Sequence, residues 1–180
     1  MTTREKVEAL IGRVALGDRT AFAELYDATS GKLLAVCMSV LKSRPEAEDT
    51  LQEVYLRVWN KADRYAVTGH SPMTWLITIA RNIAIDRLRA RKAGSVDLDQ
   101  AGEIPEPAPG PEAATIAASE SRRIMACFEE LPADRAAAVR GAYLEGMSYQ
   151  ALADRYEVPL NTMRTWLRRS LLALKDCLST

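Results

Sequence analysis

The chain has 180 residues, of which 48 % are hydrophobic and 27 % charged, so it can form one medium core or two small ones and is not a disordered protein. No stretch approaches the roughly 18–20 apolar residues of a membrane span, and the N-terminus lacks a signal-peptide core. We therefore expect a cytoplasmic protein that does not insert into membranes. The 24 basic and 24 acidic residues cancel, which is unusual for a protein that binds nucleic acid unaided.

The charges are unevenly distributed along the chain. Residues 1–92 contain fifteen Lys or Arg against eleven Asp or Glu, and residues 119–180 contain nine against eight. The strip between them, 93–118, has five acidic residues and no Lys or Arg. Four prolines at alternate positions from 105 to 111 prevent a continuous helix there. This predicts an extended acidic linker, residues 93–113, between a domain 1–92 and a domain 114–180.

The cysteine and histidine content argues against a metal or redox site. Cys37, Cys127 and Cys177 lie far apart and form no CxxC pair, and His70 is the single histidine. We predict that each cysteine is a separate, buried apolar side chain. No paired carboxylates, phosphate loop or nucleophile motif is present, so we expect no catalytic residues, no metal, no cofactor and no enzymatic activity.

The apolar spacing is helical throughout. In the first domain it predicts a helix over about 4–16, a long helix with Thr20 as N-cap that ends near residues 43–45, a helix over 46–62, and a helix from Ser71 and Pro72 to about Lys92. In the second domain it predicts helices over 114–130, 132–145, 148–156 and 161–178. No alternating strand pattern competes, so the expected fold is all-α, with two small helical domains.

The last two helices have the pattern of a helix-turn-helix. Leu152, Tyr156, Val158, Met163 and Trp166 supply its apolar contacts, and Ala153 is small where the two helices would cross. The exposed face of the second helix would then be polar. Of its side chains, Asn161, Thr162, Arg164 and Thr165 suit base edges, and Arg168 and Arg169 suit the DNA backbone.

Glu157 occupies the turn of this motif, where glycine is common because the turn can require a positive φ. The alternative interpretation of the segment is an ordinary helical hairpin with a solvated basic face.

Three ordered segments together resemble a known family. Residues 47–59 (AEDTLQEVYLRVW), residues 75–89 (WLITIARNIAIDRLR), and Leu131-Pro132 with 145–149 and the helix-turn-helix are similar to regions 2 and 4 of the group IV, or extracytoplasmic function (ECF), sigma factors. The resemblance implies a sigma region 2 bundle that binds the −10 element and a region 4 domain that binds the −35 element. The implied function is promoter-specific initiation by core RNA polymerase, with assistance in promoter melting.

The resemblance also assigns partners and residues. Asp49, Gln52 and Glu53 share one helical face, for which the implied partner is the clamp coiled coil of the largest polymerase subunit. The flap of the second-largest subunit, promoter DNA and a cognate anti-sigma factor are the other implied partners. The −10 element would be bound by the next helix, through Asn82, Asp86, Arg87, Arg89, Arg91 and Lys92.

Two connecting segments acquire roles by the same resemblance. The loop from Arg64 to Met73 corresponds to one that captures a flipped-out base, for which Tyr65 and His70 offer rings. The acidic linker would thread through the polymerase along the RNA path, while a soluble tether explains its composition equally well.

Two other functions remain open on sequence alone. A stand-alone, dimeric helix-turn-helix regulator would bind a palindromic site without polymerase, but it leaves the 47–59 motif unexplained. A helical adaptor without a DNA role would tolerate charge reversal at Arg164 and Arg168.

Overall fold

The computed structural model describes residues 3–65, 71–94 and 111–180, apart from the side chains of 111–114, 116 and 117. The chain divides into two compact units, Met1–Ile104 and Pro105–Thr180. Every regular element in the described ranges is helical, which confirms the predicted all-α fold. The roles expected of His70 and of the linker carboxylates Asp97, Asp99, Glu103 and Glu106 fall outside the described residues, as does the side chain of Glu112.

The first unit contains four helices: α1 (Thr3–Ala15), α2 (Arg19–Leu41), α3 (Arg44–Lys61) and α4 (Pro72–Gly94), with a 3-10 turn at Ala62–Arg64. The predicted N-cap of α2, Thr20, is wrong. Asp18 caps this helix instead, because its Oδ1 accepts from the Ala21 amide at 3.0 Å and its carboxylate also pairs with Arg13 at 2.7 Å.

The apolar faces of these four helices meet in one core. Its fully buried side chains include Ile11, Leu25, Leu33, Val54 and Leu76. A buried polar pair lies among them: the Thr29 hydroxyl donates to the Leu25 carbonyl at 2.6 Å and therefore accepts from the Tyr55 hydroxyl at 2.7 Å. Burial raises the pKa of Tyr55 to about 12, so this phenol stays protonated and the pair stays satisfied at neutral pH.

The second unit contains α5 (Pro111–Glu129), α6 (Ala133–Tyr143), α7 (Tyr149–Arg155) and α8 (Leu160–Ser179). Its core is centred on Leu152 and Met163, both fully buried, with Val139 and Leu167 around them. Gly141 lets α6 approach α7 closely, since a Cβ at this position would lie 2.9 Å from Leu152 Cδ2. None of the helices in the described part of the chain has the length and hydropathy needed to cross a lipid bilayer.

A disulfide in the second unit overturns the prediction that all three cysteines are separate. Cys127 on α5 and Cys177 on α8 are bonded, with their Cα atoms 5.9 Å apart and a sequence separation of 50. The packing of α5 against α8 brings them together, and sequence spacing does not reveal such packing. Cys37 is free and buried, as predicted.

Candidate nucleic-acid interface

The turn between α7 and α8 has the geometry of a helix-turn-helix. Ser148 caps α7, because its Oγ accepts from the Ala151 amide at 3.0 Å. Glu157 in the turn has φ +53°, so the conformation for which glycine is favoured is present with a glutamate in place. The Val158 amide then donates to the Ala153 carbonyl at 3.0 Å, and this bond closes the C-terminal turn of α7 before α8 begins.

The core of the motif is formed as predicted. Leu152, Ala153 and Met163 are at most 1 % exposed, and Tyr156, Val158 and Trp166 are half-buried against them. The six predicted DNA-binding residues consequently remain on the outer side of α8. All of them are exposed except Thr162, which is half-buried: Asn161, Thr162, Arg164, Thr165, Arg168 and Arg169.

Hydrogen bonds order the N-terminal turn of this outer face. Arg164 Nη1 donates to Asn161 Oδ1 at 3.3 Å, and Thr165 Oγ1 donates to the Asn161 carbonyl at 2.9 Å. The Asn161 amide group and the Arg164 guanidinium are therefore held side by side. This arrangement presents hydrogen-bond donors at the N-terminal end of α8, the end that recognition helices in general offer to a major groove.

Two concavities flank α8 and divide its polar face. The first, of about 340 Å³, is lined by Asn161, Thr162, Thr165, Trp166 and Arg169, and also by Arg135 from α6. The Arg135 guanidinium carbon lies 4.2 Å from the centre of the Trp166 ring. Arg135 cannot be identified from the sequence, because nothing in its spacing shows that α6 places it beside α8.

The second concavity, of about 440 Å³, is more apolar. Its lining joins the end of α6 and the start of α7 to α8, and consists of Tyr143, Tyr149, Arg164, Leu167, Arg168, Leu171, Leu172 and Lys175. Leu172 is 50 % exposed and Tyr149 is 39 % exposed. Uncovered apolar side chains rimmed by three cations are typical of a protein-binding surface.

In the first unit, α3 presents the predicted acidic face. Asp49 and Gln52 are exposed, while Glu53 is half-buried and accepts from Arg57 at 3.3 Å and from Arg87 at 3.1 Å. Leu56 continues this face one turn further on and is 64 % exposed. The i, i+3, i+4, i+7 spacing from Asp49 could have placed Leu56 on this face from the sequence alone. Because Leu56 is exposed, it offers an apolar side chain within a polar surface.

The six residues predicted for the −10 element fall on two sides of α4. Asn82, Asp86 and Arg89 are exposed on one side. Arg87 and Arg91 instead face α3, where they pair with Glu53 at 3.1 Å and Glu46 at 2.6 Å. Lys92 is exposed in the last turn of the helix. The structure thus brings Asn82, Asp86 and Arg89 together but gives Arg87 and Arg91 intramolecular partners.

Part of the predicted base-capturing loop is described. The Tyr65 hydroxyl donates to Glu8 Oε1 at 3.1 Å, and its ring lies 5.3 Å from that of Trp75. Trp75 is half-buried against the core. Residues 66–70 of this loop, including His70, lie outside the described residues.

Two family descriptions match the chain in the order of these surfaces. Sigma-70 region 2 matches residues 25–94, which include α3 and α4. Sigma-70 region 4 matches residues 121–174, which include the helix-turn-helix.

Similar proteins extend the match to nearly the whole chain. An ECF RNA polymerase sigma factor SigK of Mycobacterium ulcerans is 34 % identical over 97 % of this chain and 94 % of its own length. The SigK of Mycobacterium tuberculosis strain H37Rv is 33 % identical over 96 % of this chain and 93 % of its own. The chain therefore belongs to the ECF sigma factors of the sigma-70 family, and it is a sigma factor of transcription initiation.

Solved structures of similar proteins include Rhodobacter sphaeroides SigE in complex with the anti-sigma ChrR, which is 27 % identical, with a TM-score of 0.47, over 96 % of this chain and 98 % of that one. CnrH in complex with the cytosolic domain of CnrY is 18 % identical, with a TM-score of 0.45, over 97 % of each chain.

Proposed function

We propose that this sigma factor reads the −35 element with the outer face of α8. The observation that carries the proposal is the exposed row of Asn161, Arg164, Thr165, Arg168 and Arg169 on the second helix of a capped helix-turn-helix. Asn161 and Arg164 at the start of α8 suit base edges, and Arg168 and Arg169 further along suit phosphates.

The proposed polymerase-binding surface is the α3 face of Asp49, Gln52, Glu53 and Leu56. An acidic face repels the phosphates of DNA but attracts a basic protein helix, and the exposed leucine adds an apolar contact. The partner we propose is the clamp coiled coil of the largest polymerase subunit. For the apolar concavity at Tyr149 and Leu172 we propose the flap of the second-largest subunit.

The −10 element is assigned to the side of α4 that carries Asn82, Asp86 and Arg89, with Lys92 at its end. Arg87 and Arg91 support this surface from behind, since their ion pairs fix α4 against α3. Their proposed role is therefore to position α4, and direct contact with DNA is left to the other four residues.

We further propose control by a cognate anti-sigma factor, as membership in the family implies, acting where both the polymerase and RNA synthesis are found, in the cytoplasm. An anti-sigma factor that covers the α3 face or the apolar concavity would exclude the polymerase from the same side chains. Competition between core polymerase and the anti-sigma factor for this chain is the expected result.

Run-off transcription tests the proposed function. Purified core RNA polymerase is mixed with the full chain and with a library of upstream regions, and the transcripts are mapped. Initiation at a shared pair of −35 and −10 sequences is expected only when the chain is present. The chain without polymerase should bind the same duplexes weakly, because its net charge is zero. A library that yields no transcript dependent on the chain would contradict the proposal.

Matched variants separate the surfaces. Asp49→Lys should abolish association with core polymerase, whereas Glu48→Lys, an exposed position on the same helix, should not. Arg169→Glu, outside the apolar concavity, should leave polymerase association intact and abolish binding to the −35 element, whereas the same reversal at Arg122 on α5 should not. If both members of either pair behaved alike, the corresponding surface would be wrongly assigned.

A further inference from the structure

Arg135 is the one lining residue of the first concavity that α6 contributes. The other lining residues all belong to α8, and four of them are predicted DNA-binding residues: Asn161, Thr162, Thr165 and Arg169. A cation from a different helix thus lies beside the recognition face. Neither the helix-turn-helix pattern nor the family match assigns it a role.

The side chain of Arg135 is held in place from two directions. Its guanidinium carbon is 4.2 Å from the centre of the Trp166 ring, which is the range of a cation–π contact. Its Nη1 donates to both Asp134 oxygens, at 3.1 and 3.2 Å. Since a guanidinium has five N–H donors and these bonds use only Nη1, the group retains donors for a further acceptor. Its position is set in advance, which lowers the entropic cost of binding.

We propose that Arg135 binds a backbone phosphate of the −35 duplex and so clamps the DNA against the recognition helix. The inference rests on the proposed function of α8. A phosphate is the acceptor that the geometry favours, because α8 occupies the groove and the preceding helices of such a motif meet the backbone. The planar fork of an arginine matches phosphate oxygens in two hydrogen bonds. Arg169, in the same concavity, adds a second cation for the same strand.

Asp134 has a distinct part in this arrangement. Its carboxylate is bound to Nη1 of Arg135 and places a negative charge beside the site proposed for the phosphate, which it repels. Both side chains are accessible, 35 % for Arg135 and 42 % for Asp134, so a phosphate can reach the remaining guanidinium donors without unfolding. Asp134 therefore weakens DNA binding by the free chain, and Arg135 adds to binding once the duplex is in place.

The test measures the affinity of the holoenzyme for DNA as a function of salt. The probes are the duplex most strongly transcribed from the library above and the same duplex with its −35 element scrambled. Each phosphate contact contributes about 0.9 to the slope of log K against log salt, so Arg135→Ala should reduce that slope by about 1. Between 50 and 200 mM salt, the ratio of wild-type to variant affinity should then fall about 3.5-fold.

Three further variants complete the design. Arg135→Lys keeps the charge and should retain most of the slope, although it loses the planar stacking on Trp166. Asp134→Asn removes the repelling carboxylate and should raise affinity about two- to fivefold. Arg122→Ala and Asp176→Asn change the charge at exposed positions outside both concavities and are the matched controls. They should change the salt slope and the affinity less than Arg135→Ala and Asp134→Asn do.

The outcomes are distinguishable. If the wild-type holoenzyme forms no promoter complex, the proposed function and this inference both fail. If it binds and Arg135→Ala has the same salt slope, the inference alone is wrong, even if the variant melts at a lower temperature. A change in the preference for the intact over the scrambled −35 element would assign Arg135 to a base and overturn the phosphate contact. Where Arg135→Ala fails to fold, Arg135→Gln, which keeps a long polar side chain without the charge, should show the same loss of about 1 in slope, and an unchanged slope in this variant would overturn the inference.

Discussion

The disulfide between Cys127 and Cys177 should contribute a large part of the stability of the second unit. It joins α5 to α8 across 50 residues of sequence. In the chain-entropy model, closing a loop of this length removes about 14 cal/mol/K from the unfolded state, which is about 4 kcal/mol at 25 °C. Reduction should therefore lower the free energy of unfolding of residues 105–180 by up to this amount, and leave the first unit unchanged.

Hydrogen exchange with mass spectrometry, performed on the full chain with and without reductant, resolves the two units. The slowest amides of α6 and α8 should exchange up to about 1,000-fold faster after reduction, since each 1.4 kcal/mol is a factor of ten. Amides of α1–α4 should show no change. Cys37→Ala, in the first unit, is the matched control, because its effect should be confined to that unit and independent of reductant. A reduction effect below about 1 kcal/mol, or an equal effect in both units, would refute the reasoning.

Three further predictions concern single residues. Glu157→Gly should stabilise the second unit by about 1 kcal/mol in urea denaturation, because glycine adopts φ +53° without the penalty of a Cβ; a loss of stability would contradict this. Gly141→Ala should destabilise the same unit by about 1 kcal/mol, because the new methyl would crowd Leu152 Cδ2 at 2.9 Å. An unchanged urea midpoint would contradict this and mean that the Leu152 side chain moves aside without cost. Burial raises the pKa of Cys37 to about 11, so about one thiol in 1,000 would be ionised at pH 8, and iodoacetamide should not label the native chain. After unfolding without reductant, one cysteine per chain should react, because the other two form the disulfide. Rapid labelling of the native chain would disprove the burial of Cys37.

The sequence predicted the helices well because their ends are chemically marked. Ser148 and Pro72 begin helices where capping and proline preferences place them, and Gly146, with φ +68°, follows the end of α6. The N-cap of α2 was missed because Asp18 and Thr20 are both good caps two residues apart. Asp18, which caps the helix in the structure, also forms an ion pair with Arg13 of α1, and this ion pair is a tertiary contact.

For the candidate site residues, too, local sequence predicts some positions and tertiary packing determines the others. Periodicity was sufficient to place Asp49 and Gln52, or Asn161 and Thr165, on one helical face. It could not show which charges on α4 have partners on α3, or that α6 delivers Arg135 to α8. These facts depend on how helices pack, as does the contact between two cysteines 50 residues apart on α5 and α8.

Glu53 belongs to two surfaces at once. It lies on the α3 face proposed for the polymerase, and its carboxylate also holds Arg87 of α4 at 3.1 Å. A substitution of Glu53 therefore changes both the α3 face and the ion pair between α3 and α4. A substitution of Glu53 that suits a changed polymerase would also remove the ion-pair partner of Arg87 on α4, the helix proposed for the −10 element, so an accompanying substitution is expected at Arg87.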